Sequence, residues 1–253
     1  MRFARFAVGS TIGYGVVEDD QTIRAITTTP FLPHDVTDER FYPAQYRVLA
    51  PVLPSKVVAI GLNYKAHAEE RGKGLPSEPL MFLKPTTSVI GPGDAIVLPP
   101  QSNRVDHEAE LAVVIGRAAK NVPVESAMDA VLGYTCANDV TARDLQDKDV
   151  QFTRGKGFDT FCPLGPHVVT DLDPHALDIT CRVNGDVKQD SSTSDLIFDI
   201  PTLVAFISSV MTLLPGDVIL TGTPSGISSL SDGDTVEVEI GGIGTLSNPV
   251  RSA

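Results

Sequence analysis

The chain has 253 residues, a length that accommodates one large domain with a small appendage and excludes several large ones. With 42% hydrophobic and 21% charged residues it can bury a substantial core, which excludes global disorder and low-complexity architectures. Its 32 acidic and 20 basic side chains leave a formal net charge of −12, which opposes sequence-independent attraction to nucleic acid or anionic lipid.

Three cysteines, Cys136, Cys162 and Cys181, have no C-x-x-C spacing, so neither a disulfide framework nor a structural zinc site is indicated and reduced thiols are expected. The N-terminus, MRFARFAVGSTIGYG, is soon followed by Glu18-Asp19-Asp20 and is unlike a signal peptide. The most apolar window, Leu203 to Leu214, is interrupted by Ser208, Ser209 and Thr212 and is too short to span a bilayer. A cytoplasmic protein without a membrane anchor is the expectation.

In chain order, RFARFAV, GYGVVED and TIRAITT read as short strands of a small N-terminal β domain over residues 1–52. KVVAIGL is the next strand, and NYKAHAEER a helical piece with Asn63 available as its cap. GKGLPSEP has the composition of a mobile surface loop and of a lid, while Glu69 and Lys73 read as solvated surface. Gly93-Asp94, Gly216-Asp217 and Gly233-Asp234 each precede an apolar run and predict a turn leading into a strand. Helices are predicted at PVESAMDAVL and IPTLVAFISSVMTLL, each with proline near its start. In the second, Leu203, Phe206, Ile207, Val210 and Leu214 are expected to face the core. Strands outnumber helices and do not alternate with them regularly, which favours an α+β fold with a mixed sheet.

The stretch VDHEAELAVVIG carries the most chemistry. In a strand, Glu108, Glu110, Ala112 and Val114 share one face, and Ala109, Leu111, Val113 and Ile115 the other. Both faces end apolar, so the strand is expected to be buried with two carboxylates at its entrance. Two such groups ~5 Å apart repel by about 3 kcal/mol at an effective dielectric of ~20, so something positive or a shared proton must intervene. Asp139, at the end of GYTCANDV, is a third carboxylate. Three oxygen ligands without histidine suit Mg²⁺, Mn²⁺ or Ca²⁺, and His107 should face away. The competing reading pairs Glu108 and Glu110 with Lys or Arg on neighbouring strands.

His67 and Glu70 stand three apart on the expected helix, where a carboxylate can hold an imidazole as general base, or where both are simply surface groups. Arg143 and Gln146 share a face of the helix in TARDLQDKD, and Lys156, between two glycines, can bring an ammonium to an anionic centre. An ordinary surface helix and a tight turn are the alternatives. ILTGTPSGI places backbone N–H groups and Thr223 where a carboxylate can bind. No nucleophile elbow or dinucleotide fingerprint is present, which leaves metal-assisted chemistry as the main enzymatic possibility.

Taken in order, GLNYKAHAEE, FLKPTTSVIGPGDAIVLP, VDHEAELAVVIG, GYTCANDVTARDLQ, RGKGFDTFCPLGP, CRVNGDVKQDSSTSDLIFDIPTLVAFIS and LLPGDVILTGTPSGI resemble the fumarylacetoacetate hydrolase family, from about Val57 to Val250. The resemblance implies a mixed β-roll with short helices over residues 53–253, usually dimeric, with Mg²⁺ or Mn²⁺ on Glu108, Glu110 and Asp139. It implies a water- or proton-moving dyad at His67 and Glu70, and Arg143, Gln146 and Lys156 around a carbonyl or enolate oxygen. Thr223 matches a substrate-carboxylate contact. Fumarylacetoacetases resemble this chain but carry a further aspartate ligand where Ile60 stands, which points away from fumarylacetoacetate and towards the three-carboxylate branch. The activity so implied is C–C hydrolysis of a small β-diketo acid such as an acylpyruvate or fumarylpyruvate. Oxaloacetate decarboxylation, or isomerisation and decarboxylation of 2-hydroxyhepta-2,4-diene-1,7-dioate, is the alternative. An anionic 2-oxo acid does not conflict with the global charge: residues 51–169 carry 12 basic and 14 acidic groups, a net −2 that one divalent cation cancels.

Overall fold

The computed structural model describes every residue except Arg71 and Lys73; the reading of Lys73 and part of the proposed lid lie outside the described residues. Strands make up most of the regular structure, with few and short helices, in a mixed α+β arrangement. A large sheet runs in the order Val36–Phe41, Ile23–Ile26, Thr11–Val17, Arg2–Val8, Cys162–Val169, Val131–Asn138, Ala109–Ile115, Val218–Leu220, Val57–Gly61 and Leu80–Lys84. The N-terminal strands are therefore continuous with this sheet, through Arg2↔Val169 and Phe3↔Val168. Val36–Phe41, with a largely exposed polar pattern, is a strand the sequence reading omitted.

A second sheet, ordered Asp186–Ser192, Asp178–Val183, Thr235–Ile240, Gly244–Ser252 and Ile96–Leu98, packs against the first. Ala109–Ile115 is buried along its whole length. Ala109, Leu111, Val113 and Ile115 join Ile179, Cys181, Val236 and Val238 in the core between the sheets. Ala112 and Val114 join Ala59, Leu164 and Leu220 on the other side. This alternation places Glu108 and Glu110 on the side opposite the inter-sheet core.

The three Gly-Asp turns are built alike. Gly93, Gly216 and Gly233 have φ of 77°, 87° and 88°, the left-handed region glycine occupies without penalty. Each following aspartate accepts the backbone N–H three residues back: Asp94 from Gly91 at 2.9 Å, Asp217 from Leu214 at 2.7 Å and Asp234 from Ser231 at 2.7 Å.

Two helix predictions need correction. PVESAMDAVL forms a 3₁₀ run, Val124–Ala130. IPTLVAFISSVMTLL is helical only over Ile200–Val210, capped at the start by Asp199, whose side chain accepts the Thr202 N–H. Its buried stripe is Ile200, Leu203, Val204 and Ile207; Phe206 is half-buried, while Val210 and Leu214 are 55% and 43% exposed. Met211 is extended (φ −141°, ψ 153°), so Leu214 is no longer on the helix when its turn would come. All three cysteines are free and buried, and burial pushes the Cys162 and Cys181 thiols up to about 12. Among the described residues no helix is long and apolar enough to cross a membrane.

Candidate active site

Sheet order brings the site together. Val218–Leu220 runs parallel to Val57–Gly61 and antiparallel to Ala109–Ile115, which is antiparallel to Val131–Asn138. The chain therefore leaves Val57–Gly61 toward His67, leaves Val218–Leu220 toward Thr223, and places Glu108, Glu110 and Asp139 at the same end. Oxygens of Glu108, Glu110 and Asp139 all lie within 4.8 Å of one another, and all three residues are buried. They line a cavity of about 230 Å³ whose other polar walls are His67, Arg143, Gln146, Asp147, Lys156 and Thr223. Ile60, Leu80, Phe82 and Phe152 supply apolar wall. Ile60, the position at which the family resemblance implied a further aspartate in fumarylacetoacetases, is 2% exposed and lines the cavity.

The cations are placed by two short helices. Arg143 opens Arg143–Lys148 and donates to Asp106 through Nε at 2.9 Å, to Gln146 Oε1 through Nη1 at 2.5 Å and to Glu108 Oε1 through Nη2 at 2.5 Å. Holding Gln146 by its oxygen leaves that side chain's NH₂ free to donate into the cavity. Lys156 ends Thr153–Lys156 and bridges Glu108 Oε2 (2.8 Å) and Asp139 Oδ2 (2.6 Å), with its ammonium 5.2 Å from the centre of the Phe82 ring. Gly155 permits this approach: a Cβ there would sit 2.9 Å from the Gln146 backbone nitrogen. Pairing with Lys and Arg thus holds for Glu108, while Glu110 has no such partner among the described residues, and the same carboxylates form the cluster that could hold a metal ion. An ammonium already stands between two of the three carboxylates.

His107 points away, with Nδ1 at 3.1 Å from Gln189 and Nε2 at 2.8 Å from Ser228; burial holds its imidazole below the usual range. In the dyad, His67 Nδ1 is 2.8 Å from Glu70 Oε2. A carboxylate beside Nδ1 favours the tautomer with the proton there, leaving Nε2 as the basic nitrogen. His67 is 5% exposed, and Glu70 stands behind it, its other oxygen accepting the Gly226 N–H at 3.0 Å. The loop after Leu220 therefore spends N–H groups on protein carboxylates as well, because Gly222 N–H donates to Glu110 Oε2 at 2.6 Å. Gly222 adopts φ 101°, and a Cβ there would lie 2.8 Å from Asn63 Cβ. Asn63 does not cap a helix: its side chain donates to Phe198 O and Thr221 O and accepts the Phe198 N–H, tying the loop to the His67 helix.

Sequence reasoning missed Lys84, Asp106 and Gln189. Lys84, 1% exposed, donates to Asp139 Oδ1 at 2.5 Å and to Val140 O at 3.3 Å. Asp106, fully buried, receives Arg104 Nε and Arg143 Nε, both at 2.9 Å. The signal for Asp106 was present, since Asp106, Glu108 and Glu110 alternate in VDHEAE. Lys84 had a weaker one, a lone cation in the apolar run LMFLK.

Burial disfavours charge on Glu108, but Lys156 and then Arg143 outweigh it and hold the carboxyl well below the ordinary range. Glu110 moves the opposite way: burial first, then Asp139 and Glu108, raise it well above the usual value. Burial opposes charge on Lys156 too, yet Asp139 and Glu108 raise it. Ion pairs join three buried carboxyl side chains (Asp106, Glu108, Asp139) to three buried basic ones (Lys84, Arg143, Lys156). A hard oxygen set with an ammonium standing in for a cation fits a divalent ion such as Mg²⁺ or Mn²⁺.

Residues 56–251 match the family model "Fumarylacetoacetate (FAA) hydrolase C-terminal", and residues 1–51 match "Rv2993c-like, N-terminal". The chain belongs to the fumarylacetoacetate hydrolase family. It is 49% identical to protein Rv2993c of Mycobacterium tuberculosis, over 99% of this chain and 98% of that one. It is also 49% identical to the mitochondrial oxaloacetate tautomerase fahd2 of Xenopus laevis, over 80% of this chain and 68% of the relative. The crystal structure of a 5-carboxymethyl-2-hydroxymuconate delta-isomerase from Mycobacterium smegmatis superposes with a TM-score of 0.95, at 49% identity and covering 100% of both chains. Family membership and the mixed α+β fold thus agree with the sequence reading.

Proposed function

We propose that this family member is a metal-dependent enzyme that moves a proton at the carbon next to the keto group of a small 2-oxo dicarboxylic acid, as in keto–enol tautomerisation of oxaloacetate. The observation that carries the reading is the arrangement of the buried Glu108–Glu110–Asp139 cluster and the His67–Glu70 pair around one cavity of about 230 Å³. That volume lies below the ~300–1,000 Å³ of pockets for drug-sized ligands and suits a small acid. The tautomerase among the relatives supports proton transfer over the hydrolysis expected first.

Glu108, Glu110 and Asp139 would hold Mg²⁺ or Mn²⁺, which when bound supplies Lewis-acid stabilisation of negative charge on the keto oxygen. His67 Nε2 takes the proton from carbon, and Glu70 holds the resulting imidazolium at Nδ1. The Gln146 NH₂ and the Lys156 ammonium donate to the developing enolate oxygen, which takes up a proton from solvent to become the enol while the His67 imidazolium returns its proton to solvent. Thr223 binds a carboxylate. The apolar wall of Leu80, Phe82 and Phe152 limits water around the base. Hydrolysis of an acylpyruvate is the second reading, favoured by the same free Nε2, which can deprotonate a water instead. A homodimer, the assembly implied by the family resemblance, belongs to the same proposal and is checked by light scattering.

The test is a panel of oxaloacetate, acetylpyruvate and 2-hydroxyhepta-2,4-diene-1,7-dioate with Mg²⁺ or Mn²⁺, scored by product identity. Faster enol–keto exchange of oxaloacetate, lost with EDTA and in His67→Ala, is the expected outcome. Acetylpyruvate cleavage without oxaloacetate exchange would select the hydrolase; no metal-dependent turnover of any of the three would end both readings.

A further inference from the structure

We propose that Gln189 is a positioning residue that fixes the direction of the Thr223 hydroxyl, making Thr223 a hydrogen-bond donor to a substrate carboxylate; this rests on reading the cavity as a 2-oxo acid site. Gln189, 1% exposed, lies on Asp186–Ser192 in the second sheet. Its Oε1 accepts the Ala109 N–H at 3.0 Å, and its Nε2 donates to Pro224 O at 2.8 Å. Both partners are backbone groups with fixed roles, so they determine which end of the amide is which.

The second Nε2 hydrogen points at Thr223 Oγ1, 2.8 Å away. Thr223 must accept it, and the hydroxyl's single proton is left to donate elsewhere. Thr223 is 3% exposed and lines the cavity, so that proton is available to an anion bound there.

Behind Gln189 the direction is fixed as well. His107 Nδ1 lies 3.1 Å from Gln189 Oε1. That oxygen only accepts, so Nδ1 carries the proton, and Nε2 accepts from Ser228 Oγ at 2.8 Å. Cys181 Sγ, 3.3 Å from Nδ1, shares the same proton as an acceptor. Ser228, His107, Gln189 and Thr223 thus form a chain donating in one direction, and each link polarises the next. Ala109 lies between Glu108 and Glu110, so one buried amide also sets the distance from the carboxylate strand to the Thr223 loop.

The experiment measures binding of oxalate, a non-reacting dicarboxylate, to the full chain with Mg²⁺ by calorimetry. Gln189→Glu keeps the shape and the acceptor for Ala109 and His107. As a carboxylate its other oxygen has no proton to give and draws the Thr223 hydroxyl to itself; if protonated, its single proton serves only one of Pro224 O and Thr223 Oγ1. Thr223→Val should weaken oxalate about tenfold, Gln189→Glu by a similar factor, and the double variant no further than about twofold beyond Thr223→Val. Thr223→Ser, which keeps the hydroxyl, should retain affinity within about threefold, and Gln189→Glu should raise KM for oxaloacetate by more than it lowers kcat. Gln189→Met is the second variant and should behave as Gln189→Glu does. Wild-type affinity in Gln189→Met, which has no donor in any state, or losses that multiply in the double variant, overturns the role of Gln189 alone. Failure of the wild type to bind oxalate overturns the reading of the cavity and this inference with it.

Discussion

Lys84→Met gives the sharpest stability test of the site. The Lys84 ammonium and the Asp139 carboxylate are 0% and 2% exposed and 2.5 Å apart. Two unit charges even 4 Å apart attract by about 4 kcal/mol at an effective dielectric of 20. Removing one partner of a buried pair costs about 3–5 kcal/mol, because the other charge is left uncompensated. Asp139 keeps Lys156 at 2.6 Å, which places the expected loss at the lower end, about 3 kcal/mol. The assay is urea unfolding followed by far-UV circular dichroism, since the chain has no tryptophan. In EDTA the variant should unfold at clearly lower urea than the wild type. With saturating Mn²⁺ the deficit should shrink, because a divalent charge on Asp139 replaces the missing ammonium. An unchanged midpoint in EDTA, or a deficit that Mn²⁺ leaves untouched, would refute the reasoning.

Two further outcomes follow from the same geometry. Burial first, then Arg2, lowers His167 to about 4, against 6.5 for a free histidine. Between those values the unfolded chain binds more protons, so stability is full above pH 6.5 and falls as pH drops toward 4. Over pH 7.5 to 5 the loss should be about 2 kcal/mol, and urea midpoints of His167→Gln should lack that part; an identical pH slope in both proteins would assign it elsewhere. Asp106→Asn removes the charge that takes both Arg104 and Arg143; it should cost about 3 kcal/mol and reduce turnover by loosening Arg143. Unchanged stability with unchanged turnover would show that Glu108 and Gln146 hold Arg143 without it.

What the sequence made legible was what period and local spacing control. The strand alternation in HEAELAVVI placed both glutamates on one face and His107 on the other, because a strand buried on both sides cannot slip by one residue without reversing them. The three-residue interval from His67 to Glu70 became a contact because it lies within one helical turn. The helix from Ile200 was legible at its start through Pro201, but its end was not: Met211 turns extended, and Leu214 beyond it is 43% exposed. Lys84 and Gln189 were hidden for a different reason. Lys84 meets Asp139 across 55 residues, and Gln189 meets Ala109 across 80 and Thr223 across 34. Those contacts are set by the order of strands in two sheets, which no local pattern encodes.

The central claim is that Glu108, Glu110 and Asp139 hold one divalent ion to which a 2-oxo acid is presented. Electron paramagnetic resonance of Mn²⁺ titrated into the protein tests it most directly. One tightly bound ion per chain, a spectrum that changes on adding oxalate, and loss of that binding in Glu110→Ala are the expected results. Mn²⁺ binding that survives intact in Glu110→Ala, or a bound-ion spectrum indifferent to oxalate, would contradict it.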